Sequence, residues 1–317
     1  MKDNKSKSRE KITVIIPAYN VEGIICRCIK SALWADEILV VDGEKNGYST
    51  DKTMKIAKSM GARVLKHKYE YSAKQKNWII PQAKHNWIFL LDSDEVITKE
   101  LKDEILELLQ SKDLNKYDGF GIARPHYFLG KFLRWGGRYP LYNIRMFKKK
   151  CRYEDRDVHA HIILPRGKVK NLKGDLLHYS DPTLNHFFEK FNRYTTYQAN
   201  YMLKVRQRGI KLEWKKFFTY NIYTKSIIKD IWYFMPFAPI SRFVYMYFAR
   251  FGFLDGRHGF MIALLYSFQD YVSKTKYLEL RQKQPRMRFA VQNLIKTFLP
   301  KKGFSIGISD RLAKEVT

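Results

Sequence analysis

The stretch WIFLLDSDEVIT, Trp87 to Thr98, decides the fold. Its apolar part up to Asp92 predicts a buried strand, and the end of that strand is crowded with acidic residues (Asp92, Asp94 and Glu95). Carboxylates at the end of a buried strand repel one another and are poorly solvated, so they need a compensating group. The obvious group is a divalent cation carrying phosphate. The surrounding sequence decides whether this strand end belongs to a ligand-binding sheet.

Strand-like and helical segments alternate from Lys11 to about Lys112. The predicted strands are Ile12–Pro17, Glu37–Gly43, Ala62–His67 and Trp87–Asp92. The predicted helices are Glu22–Trp34, Thr50–Met60, Ser72–Lys84 and Lys99–Gln110. This alternation predicts an α/β fold whose mainly parallel sheet has helices on both faces. Ligands of such sheets bind beyond the carboxyl ends of the strands, so Pro17–Asn20, Asp42 and Asp92–Asp94 should meet along one edge.

Composition narrows the class of protein. The 317 residues are 45% hydrophobic, which excludes wholesale disorder, and the net charge of +28 implies a polyanionic neighbour such as nucleic acid, an anionic membrane or a phosphorylated substrate. The three cysteines form no disulfide framework, so we expect free thiols in a reducing compartment. The polar N-terminus MKDNKSKSRE has no signal-peptide character, and we therefore expect a cytoplasmic protein.

The C-terminal part of the chain has a different texture. Short β-like segments follow Asp118, and from Pro182 the sequence is helical, aromatic and basic. We therefore predict four regions. They are a basic disordered tail (1–10), a catalytic domain (11–181), a helical membrane-associating region (182–290) and a basic C-terminal tail (291–317).

Two uncharged apolar runs lie in the helical region, Ile231–Ser241 and Gly259–Gln269. Both are well short of the roughly 20 residues that a membrane-spanning helix needs. Their aromatic side chains and the flanking arginines and lysines predict docking on the inner face of the cell membrane without crossing it. The alternative is that both runs pack as core helices.

The pair Asp92 and Asp94, separated by small Ser93, can present oxygens to one Mg²⁺ or Mn²⁺. Such a cation would neutralise charge on a leaving diphosphate. The alternative is an ordinary turn that caps the next helix. Asp42 closes the second strand and can accept hydrogen bonds from a ribose or a base. The first strand is followed by PAYN, not by a G-x-G-x-x-G loop, which argues against a dehydrogenase.

The motifs VIIPAYN, VVDG, STDKT, QKN and FLLDSDE follow in this order between Ile12 and Glu95. Together they resemble the family 2 glycosyltransferases, whose fold is the Rossmann-like GT-A fold. A looser match through GGRYP, IRMF, VHAH and LLHYS extends to Asp181, and GFLDGRHGF (Gly252–Phe260) is similar to the C-terminal region of one subgroup. That subgroup acts on bacterial lipopolysaccharide core and surface polysaccharide. The resemblance implies an inverting, metal-assisted transfer from a nucleotide sugar, with UDP the expected nucleotide, to a lipid-linked or cell-surface glycan.

The resemblance also implies roles for individual residues. Four residues after the first strand would line the nucleotide pocket, namely Pro17, Ala18, Tyr19 and Asn20. Asp42 would contact the uracil or ribose, and Lys76, which matches the basic residue of the family's ARN segment, would lie near the diphosphate. Asp92, with Ser93 and Asp94, would hold ribose, metal and diphosphate. The loop DGEKNGYSTDKT is longer than the family's usual DGSTDGT, which affects the nucleotide contacts.

The catalytic base is the main departure from the family pattern. The subgroup usually reads VHE, with the glutamate as base, whereas this chain has Ala160 in that place. Inverting transfer needs a base because the attacking hydroxyl must lose its proton. On an extended strand Asp157, His159 and His161 share the face opposite Ala160. Asp157 is the first candidate and His159 the second; the alternative is that both are surface residues.

Two further residues have open roles. His178 would complete the metal shell, as a histidine does in several GT-A enzymes, or is a core histidine bonded to backbone. Arg145 would bind phosphate through its guanidinium or is a structural arginine.

Other functions stay open at this level. A nucleotidyltransferase also uses a parallel sheet, carboxylates and Mg²⁺, although its glycine- and arginine-rich loop is missing here. The charge of +28 would suit a nucleic-acid or anionic-surface binding protein, yet no nucleic-acid recognition motif is seen, so a nucleic-acid partner is not expected. A catalytically inactive transferase is a further alternative, because Ala160 replaces the expected base.

Overall fold

The computed structural model of the chain describes residues 9–155, 160–181, 183–209 and 221–283. The strands are β1 (Ile12–Ala18), β2 (Glu37–Asp42), β3 (Arg63–Lys66), β4 (Trp87–Leu90), β5 (Glu95–Ile97), β6 (Gly119–Ala123), β7 (His126–Phe128), β8 (Lys131–Leu133), β9 (Tyr142–Lys148), β10 (Arg152–Tyr153), β11 (Ile162–Ile163) and β12 (Val169–Asp181). The helices are α1 (Glu22–Ala32), α2 (Thr53–Ser59), α3 (Ser72–Ile79), α4 (Lys99–Gln110), α5 (Leu184–Arg208), α6 (Asn221–Phe234), α7 (Ala238–Val244) and α8 (Arg257–Lys283).

Within the described residues, ten strands form one sheet. Nine follow the order β3-β2-β1-β4-β9-β6-β12-β7-β8, and β5 pairs with β12. Strands β3, β2, β1 and β4 are parallel, β9 is antiparallel to both of its neighbours, and β12 is parallel to β6 and β7. The carboxyl ends of β1, β2, β4, β6 and β12 therefore lie at one edge of the sheet. This arrangement confirms the predicted α/β class with a mainly parallel sheet.

Alternate residues of β1 enter two different cores, which explains why helices cover both faces. Val14 and Ile16 belong to a cluster that includes Ile25 of α1 and Ile105 of α4. Ile15 belongs to a second cluster on the opposite face, with Ile79 of α3. Because both faces are buried, the strand is apolar along its whole length rather than alternating in polarity.

Several predicted elements end earlier than expected. The predicted helix Ser72–Lys84 ends at Ile79 and continues as a 3₁₀ turn over Ile80–Gln82, where Pro81 removes a backbone donor. The predicted strand Trp87–Asp92 ends at Leu90, so Asp92 lies in a turn. Strand β5, which was not predicted, is only three residues long and is defined by its pairing with β12.

The chain divides into two compact units. The first contains the sheet, continues to Tyr194 and includes Met235–Tyr271. The second contains the described residues of Thr195–Phe234 and those from Val272 to Lys283. In the second unit the carboxylate of Asp230, which is buried, accepts hydrogen bonds from Tyr201 and Arg208.

That residues 182–290 form a membrane-associating domain stays a prediction. The two predicted tails lie almost wholly outside the described residues. The first apolar run is not one continuous helix: α6 ends at Phe234 and α7 begins at Ala238. The prolines of the run account for this interruption, because proline removes a helical hydrogen bond. Among the described residues, no helix combines the length and the apolar character that crossing a membrane requires.

Candidate active site

The acidic stretch after β4 forms a turn that is closed by its own glutamate. The Glu95 carboxylate accepts a hydrogen bond from the Asp92 backbone N–H at 2.9 Å, and the Glu95 N–H donates to the Asp92 carbonyl at 2.9 Å. Glu95 is fully buried, whereas the side chains of Asp92 and Asp94 are 34% and 29% exposed. Helix α4 is capped by Thr98, which accepts from Leu101, so neither aspartate acts as the cap. The turn therefore presents two carboxylates at the carboxyl edge of the sheet.

Arginine side chains compensate much of this acidic charge. Arg145 of β9 is only 5% exposed, and its Nη2 lies 2.6 Å from both Asp92 Oδ2 and Glu95 Oε1. Arg124 Nε lies 2.6 Å from Glu95 Oε1. Burial raises the pKa of Asp92, but Arg145, followed by Lys76 and Arg124, more than offsets this and holds that pKa below its usual range. Burial raises the pKa of Glu95 despite Arg145.

Two sequence predictions change with this geometry. A cation was the expected compensation for Asp92, yet one oxygen of that carboxylate already receives Arg145. The same Nη2 of Arg145 also donates to Glu95, which favours the structural alternative for this arginine over a phosphate contact. The sequence missed this network because Arg145 lies 53 residues from Asp92 and reaches it only through the pairing of β9 with β4.

Asp94 faces His178 across the strand pair β5–β12. His178 Nε2 lies 3.2 Å from Asp94 Oδ2, and the N–H of Tyr179 donates to the Asp94 carbonyl at 3.1 Å. Burial raises the pKa of Asp94, but the hydrogen bond from His178 more than offsets this, so that the pKa is lowered. His178 is therefore bonded to a carboxylate and not to backbone, unlike the core histidine that was the alternative.

The predicted three-residue metal set of Asp92, Asp94 and His178 is not assembled, because no group of three or more acidic, histidine or cysteine side chains in the described parts of the chain is arranged to hold a metal. The pair Asp94 and His178 nevertheless fits part of such a site. Two ligands at about 2.1 Å from one cation, in adjacent octahedral positions, lie about 3 Å apart. Their 3.2 Å separation matches that spacing, and both side chains reach solvent, where phosphate and water can complete the shell.

Lys76 of α3 brings a positive charge to the same edge. Its ammonium lies 5.1 Å from the centroid of the Tyr153 ring. Burial lowers the pKa of Lys76, and Asp92 is the strongest influence in the opposite direction. Lys76 is thus a half-buried cation close to the acidic turn, the position predicted for a diphosphate contact.

The ends of β1 and β2 form the other side of the site. Asp42 is fully buried, its register partner is Ala18, and its Oδ1 accepts from the N–H and the hydroxyl of Ser49 at 2.9 and 2.8 Å. Asp42 Oδ2 is buried and has no hydrogen-bond partner among the described residues. Asn20, at a left-handed φ of 47°, accepts from the N–H of Thr50 at 2.9 Å. The long loop after β2 is therefore tied to both strand ends, beside Pro17 and Tyr19, and leaves one buried carboxylate oxygen unsatisfied.

The sequence model of the family described as Glycosyl transferase family 2 matches residues 13–171, which include the carboxyl ends of β1, β2 and β4. The chain belongs to glycosyltransferase family 2. The match begins in β1 and ends in β12, before His178, so the family's own pattern covers Asp42, Lys76, Asp92 and Asp94.

Several relatives and solved structures are similar to this chain. An uncharacterized glycosyltransferase of Rickettsia typhi is 28% identical over 291 residues, which are 86% of this chain and 89% of that protein. The lipopolysaccharide core biosynthesis glycosyltransferase LpsC of Rhizobium meliloti is 29% identical over 205 residues, 62% of this chain and 73% of that protein. Among solved structures, S. aureus TarS 1–349 aligns at 15% identity over 86% of this chain and 92% of that chain, with a TM-score of 0.36. Glucosyl-3-phosphoglycerate synthase of Mycobacterium tuberculosis, in complex with Mn²⁺, UDP and glucosyl-3-phosphoglycerate, aligns at 22% identity over 36% of this chain and 44% of that chain, with a TM-score of 0.30.

The base candidates of this glycosyltransferase, Asp157 and His159, lie outside the described residues. The described residues on either side of them form the hairpin β10–β11, where the N–H of Glu154 donates to the carbonyl of His161 at 2.9 Å. Strand β10 is bonded to α3, because Tyr153 exchanges two hydrogen bonds with the Asn77 side chain at 2.7 and 2.9 Å. The hairpin therefore packs next to the helix that carries Lys76.

Three residues of this glycosyltransferase site were not predicted from the sequence. Glu95 closes the acidic turn, Arg124 balances it, and Tyr153 covers Lys76. The only signal was the unusual density of acid in DSDE, which requires cations from elsewhere in the chain.

Proposed function

We propose that this family 2 glycosyltransferase is an inverting enzyme that moves a sugar from a UDP-linked donor to a lipid-linked or cell-surface glycan. The observation that carries the proposal is the pair Asp94 and His178, exposed at the same sheet edge as Lys76 and the unsatisfied oxygen of Asp42. Carboxylate and imidazole suit Mn²⁺ or Mg²⁺, the ammonium suits a diphosphate, and a buried acceptor oxygen suits a base N–H or a ribose hydroxyl. The relative named as a lipopolysaccharide core biosynthesis enzyme supports the class of acceptor.

The chemistry is a single displacement at the anomeric carbon. The acceptor oxygen forms a bond to that carbon, the bond to the diphosphate oxygen breaks, and its electron pair leaves with the nucleoside diphosphate. Asp94 and His178 would hold a divalent cation, which when bound would neutralise charge on this leaving group. Lys76 lines the diphosphate, and Asp42 orients the nucleoside. Asp157, or else His159, accepts the proton of the acceptor hydroxyl.

A thermal-shift screen tests the proposed donor class. UDP with Mn²⁺ is expected to raise the melting temperature, because a ligand at about 100 times its Kd stabilises a folded protein by about 2.7 kcal/mol. Mn²⁺ alone and UDP with EDTA serve as controls and should have smaller effects. The proposal fails if no nucleoside diphosphate raises the melting temperature in the presence of Mn²⁺.

Replacement of the base candidate Asp157 tests the catalytic step. Asp157→Asn is expected to lower kcat by about 10²–10⁴-fold with donor binding nearly unchanged, because the hydroxyl then keeps its proton during attack. His161→Ala is the matched control, since His161 is fixed to Glu154 through its backbone. A larger loss from His159→Ala than from Asp157→Asn would transfer the role to His159, and full activity of both variants would exclude both.

We also propose that the segment Met235–Tyr271 docks on the anionic inner face of the cell membrane. Seven of its apolar side chains are more than half exposed, namely Phe237, Ile240, Phe248, Phe251, Leu254, Leu264 and Tyr271. Such density of exposed apolar area marks an interaction surface, and the aromatic residues suit the headgroup boundary. The net charge of +28 favours anionic over neutral lipid.

Membrane docking has a measurable consequence. The protein is expected to pellet with phosphatidylglycerol vesicles at low salt and to bind phosphatidylcholine vesicles less well. High salt should release it, because salt screens the attraction between basic residues and anionic lipid, and each basic residue near the surface contributes only about 1 kcal/mol. Replacing Phe237 and Ile240 by serine should weaken binding, whereas replacing exposed Leu33, which directly follows α1, should not. Equal recovery of the protein in the supernatant with and without vesicles would contradict docking.

A further inference from the structure

A cleft of about 360 Å³ lies in the first unit, and no residue of the acidic turn lines it. One wall is the loop after β8, with Arg134, Trp135 and Tyr139, and the other is formed by Arg250 and Phe251. Its size is within the range of small-ligand sites, and its lining combines aromatic rings with two guanidinium groups. The transfer chemistry described above does not use it, and of its walls only Phe251 belongs to the exposed apolar side chains proposed to dock on the membrane.

Backbone hydrogen bonds hold the two walls together. The buried carboxylate of Asp255 accepts from the N–H groups of Arg134 and Trp135 at 3.3 and 2.9 Å, and the N–H of Gly136 donates to the Arg250 carbonyl at 2.9 Å. The cleft is therefore formed in the free protein, so that a ligand need not order these loops.

The second wall is conformationally strained. Phe251 has a left-handed φ of 57°, which is unfavourable for a bulky residue. It follows a π-helical turn, Tyr245–Ala249, in which the N–H of Arg250 donates to the Tyr245 carbonyl at 2.8 Å. Strained backbone and π-helical turns are both concentrated at functional sites. The strain places the Phe251 ring edge-on to Trp135 at 6.1 Å, with the two side chains 51% and 38% exposed.

The two arginines of the cleft differ from other arginines of this unit. Arg242 is paired with Asp270, and the Arg138 guanidinium lies over the Tyr266 ring. Arg134 and Arg250 are exposed, and neither forms an ion pair within the part of the chain that the structure describes. Two unpaired guanidinium groups beside exposed aromatic rings suit a ligand that joins a phosphate to an apolar or sugar moiety.

One cleft residue contacts the strand that carries His178. The Tyr139 hydroxyl donates to the carboxylate of Asp175, at 3.0 and 3.2 Å from its two oxygens. Asp175 precedes His178 by three residues on β12, a distance of about 10 Å along a strand. The cleft is therefore connected through Tyr139 to the strand that contributes to the candidate active site.

We propose that this cleft binds the phosphate group of a phosphorylated glycolipid and so positions the acceptor of the transfer. The role as acceptor site rests on the proposed function, whereas binding of the lipid does not. Arg134 and Arg250 hold the phosphate, and Trp135 and Phe251 pack against the sugar or the first part of the lipid.

Vesicle binding of the full-length protein tests the site without any donor. The probe is lipid A, a phosphorylated disaccharide lipid, in phosphatidylcholine vesicles, compared with phosphatidylglycerol vesicles of equal surface charge and with inorganic phosphate. Wild type is expected to prefer the lipid A vesicles. Arg134→Ala with Arg250→Ala should lower that affinity by at least about tenfold, as expected for lost charge-assisted hydrogen bonds, and remove the preference. The matched control is Lys55→Ala with Lys58→Ala, which removes two exposed charges from α2 and should keep the preference.

The variant Phe251→Gly distinguishes a loss of the lipid site from a general loss of structure. Glycine adopts positive φ without strain, so this variant should melt at the same or a higher temperature while its preference for lipid A falls. Equal binding to both kinds of vesicle, or binding of inorganic phosphate alone, would overturn the proposal. If wild type preferred lipid A vesicles but did not bind UDP in the presence of Mn²⁺, the proposed function would be overturned and the lipid site would stand.

Discussion

Asp94→Ala is expected to abolish sugar transfer while the protein stays folded. Asp94 contributes one of the two side chains that face each other at 3.2 Å, and its carboxylate is 29% exposed, so its loss removes a proposed cation ligand without opening the core. Removal of a group that stabilises transition-state charge typically lowers kcat by about 10²–10³-fold or more. Mn²⁺-dependent binding of UDP should be lost as well, as measured by isothermal titration calorimetry.

The control for this variant is Asp103→Ala, which removes a carboxylate from the exposed ion pair with Lys99 on α4. Its activity should equal that of wild type. If Asp94→Ala bound UDP and Mn²⁺ as wild type does, the cation would have to be held elsewhere. His178→Ala should then be tested independently, with the same readouts.

Arg145→Met is expected to cause the largest loss of stability. The substitution removes one of the two guanidinium groups that lie 2.6 Å from the fully buried Glu95, and it breaks the 2.6 Å pair with Asp92. Breaking a buried ion pair by removal of one partner costs about 3–5 kcal/mol, because a buried charge is left uncompensated. The free energy of unfolding, measured in urea, should fall by that amount, and transfer activity should fall because the acidic turn loses its anchor.

Arg9→Met provides the comparison, since Arg9 forms a partly exposed pair with Asp36. Pairs of this kind contribute about 0–1 kcal/mol. The double variant Glu95→Gln with Arg145→Met should regain part of the lost stability, because the buried charge is then removed together with its partner. Wild-type stability of Arg145→Met would show that Arg124 alone compensates the turn.

The parallel half of the sheet could be predicted from sequence because its signals are local. Strands β1, β2 and β4 are buried on both faces, so their apolar runs are continuous, and the helices between them have ordinary amphipathic spacing. Asp42 and Asp92–Asp94 could be identified as candidate site residues because they stand where those apolar runs end. The rule that ligands bind at carboxyl ends then brings them together.

The rest of the site depends on contacts between distant parts of the chain. The antiparallel strand β9 enters between β4 and β6, and only this insertion carries Arg145 to the acidic turn. The register of β12 against β5 sets His178 opposite Asp94, and that register is not encoded in either segment alone. The base candidates Asp157 and His159 rest on the resemblance and on the hairpin that holds their segment, so they stay predictions.

During synthesis on the ribosome, strand β12 emerges only after the strands with which it pairs. This strand of 13 residues inserts between β6 and β7, which both precede it in the chain, and it also pairs with β5. A nascent chain that has reached only α4 already contains β1 to β4, with Asp42, Lys76 and Asp94, but it lacks His178. The carboxyl edge of β1, β2 and β4 can therefore form first, and β6 and β7, once they are synthesised, stay open edges that attract other strands. Only the arrival of β12 closes those edges, and the same event brings His178 opposite Asp94, so a nascent chain becomes protected from aggregation and completes this pair in one step.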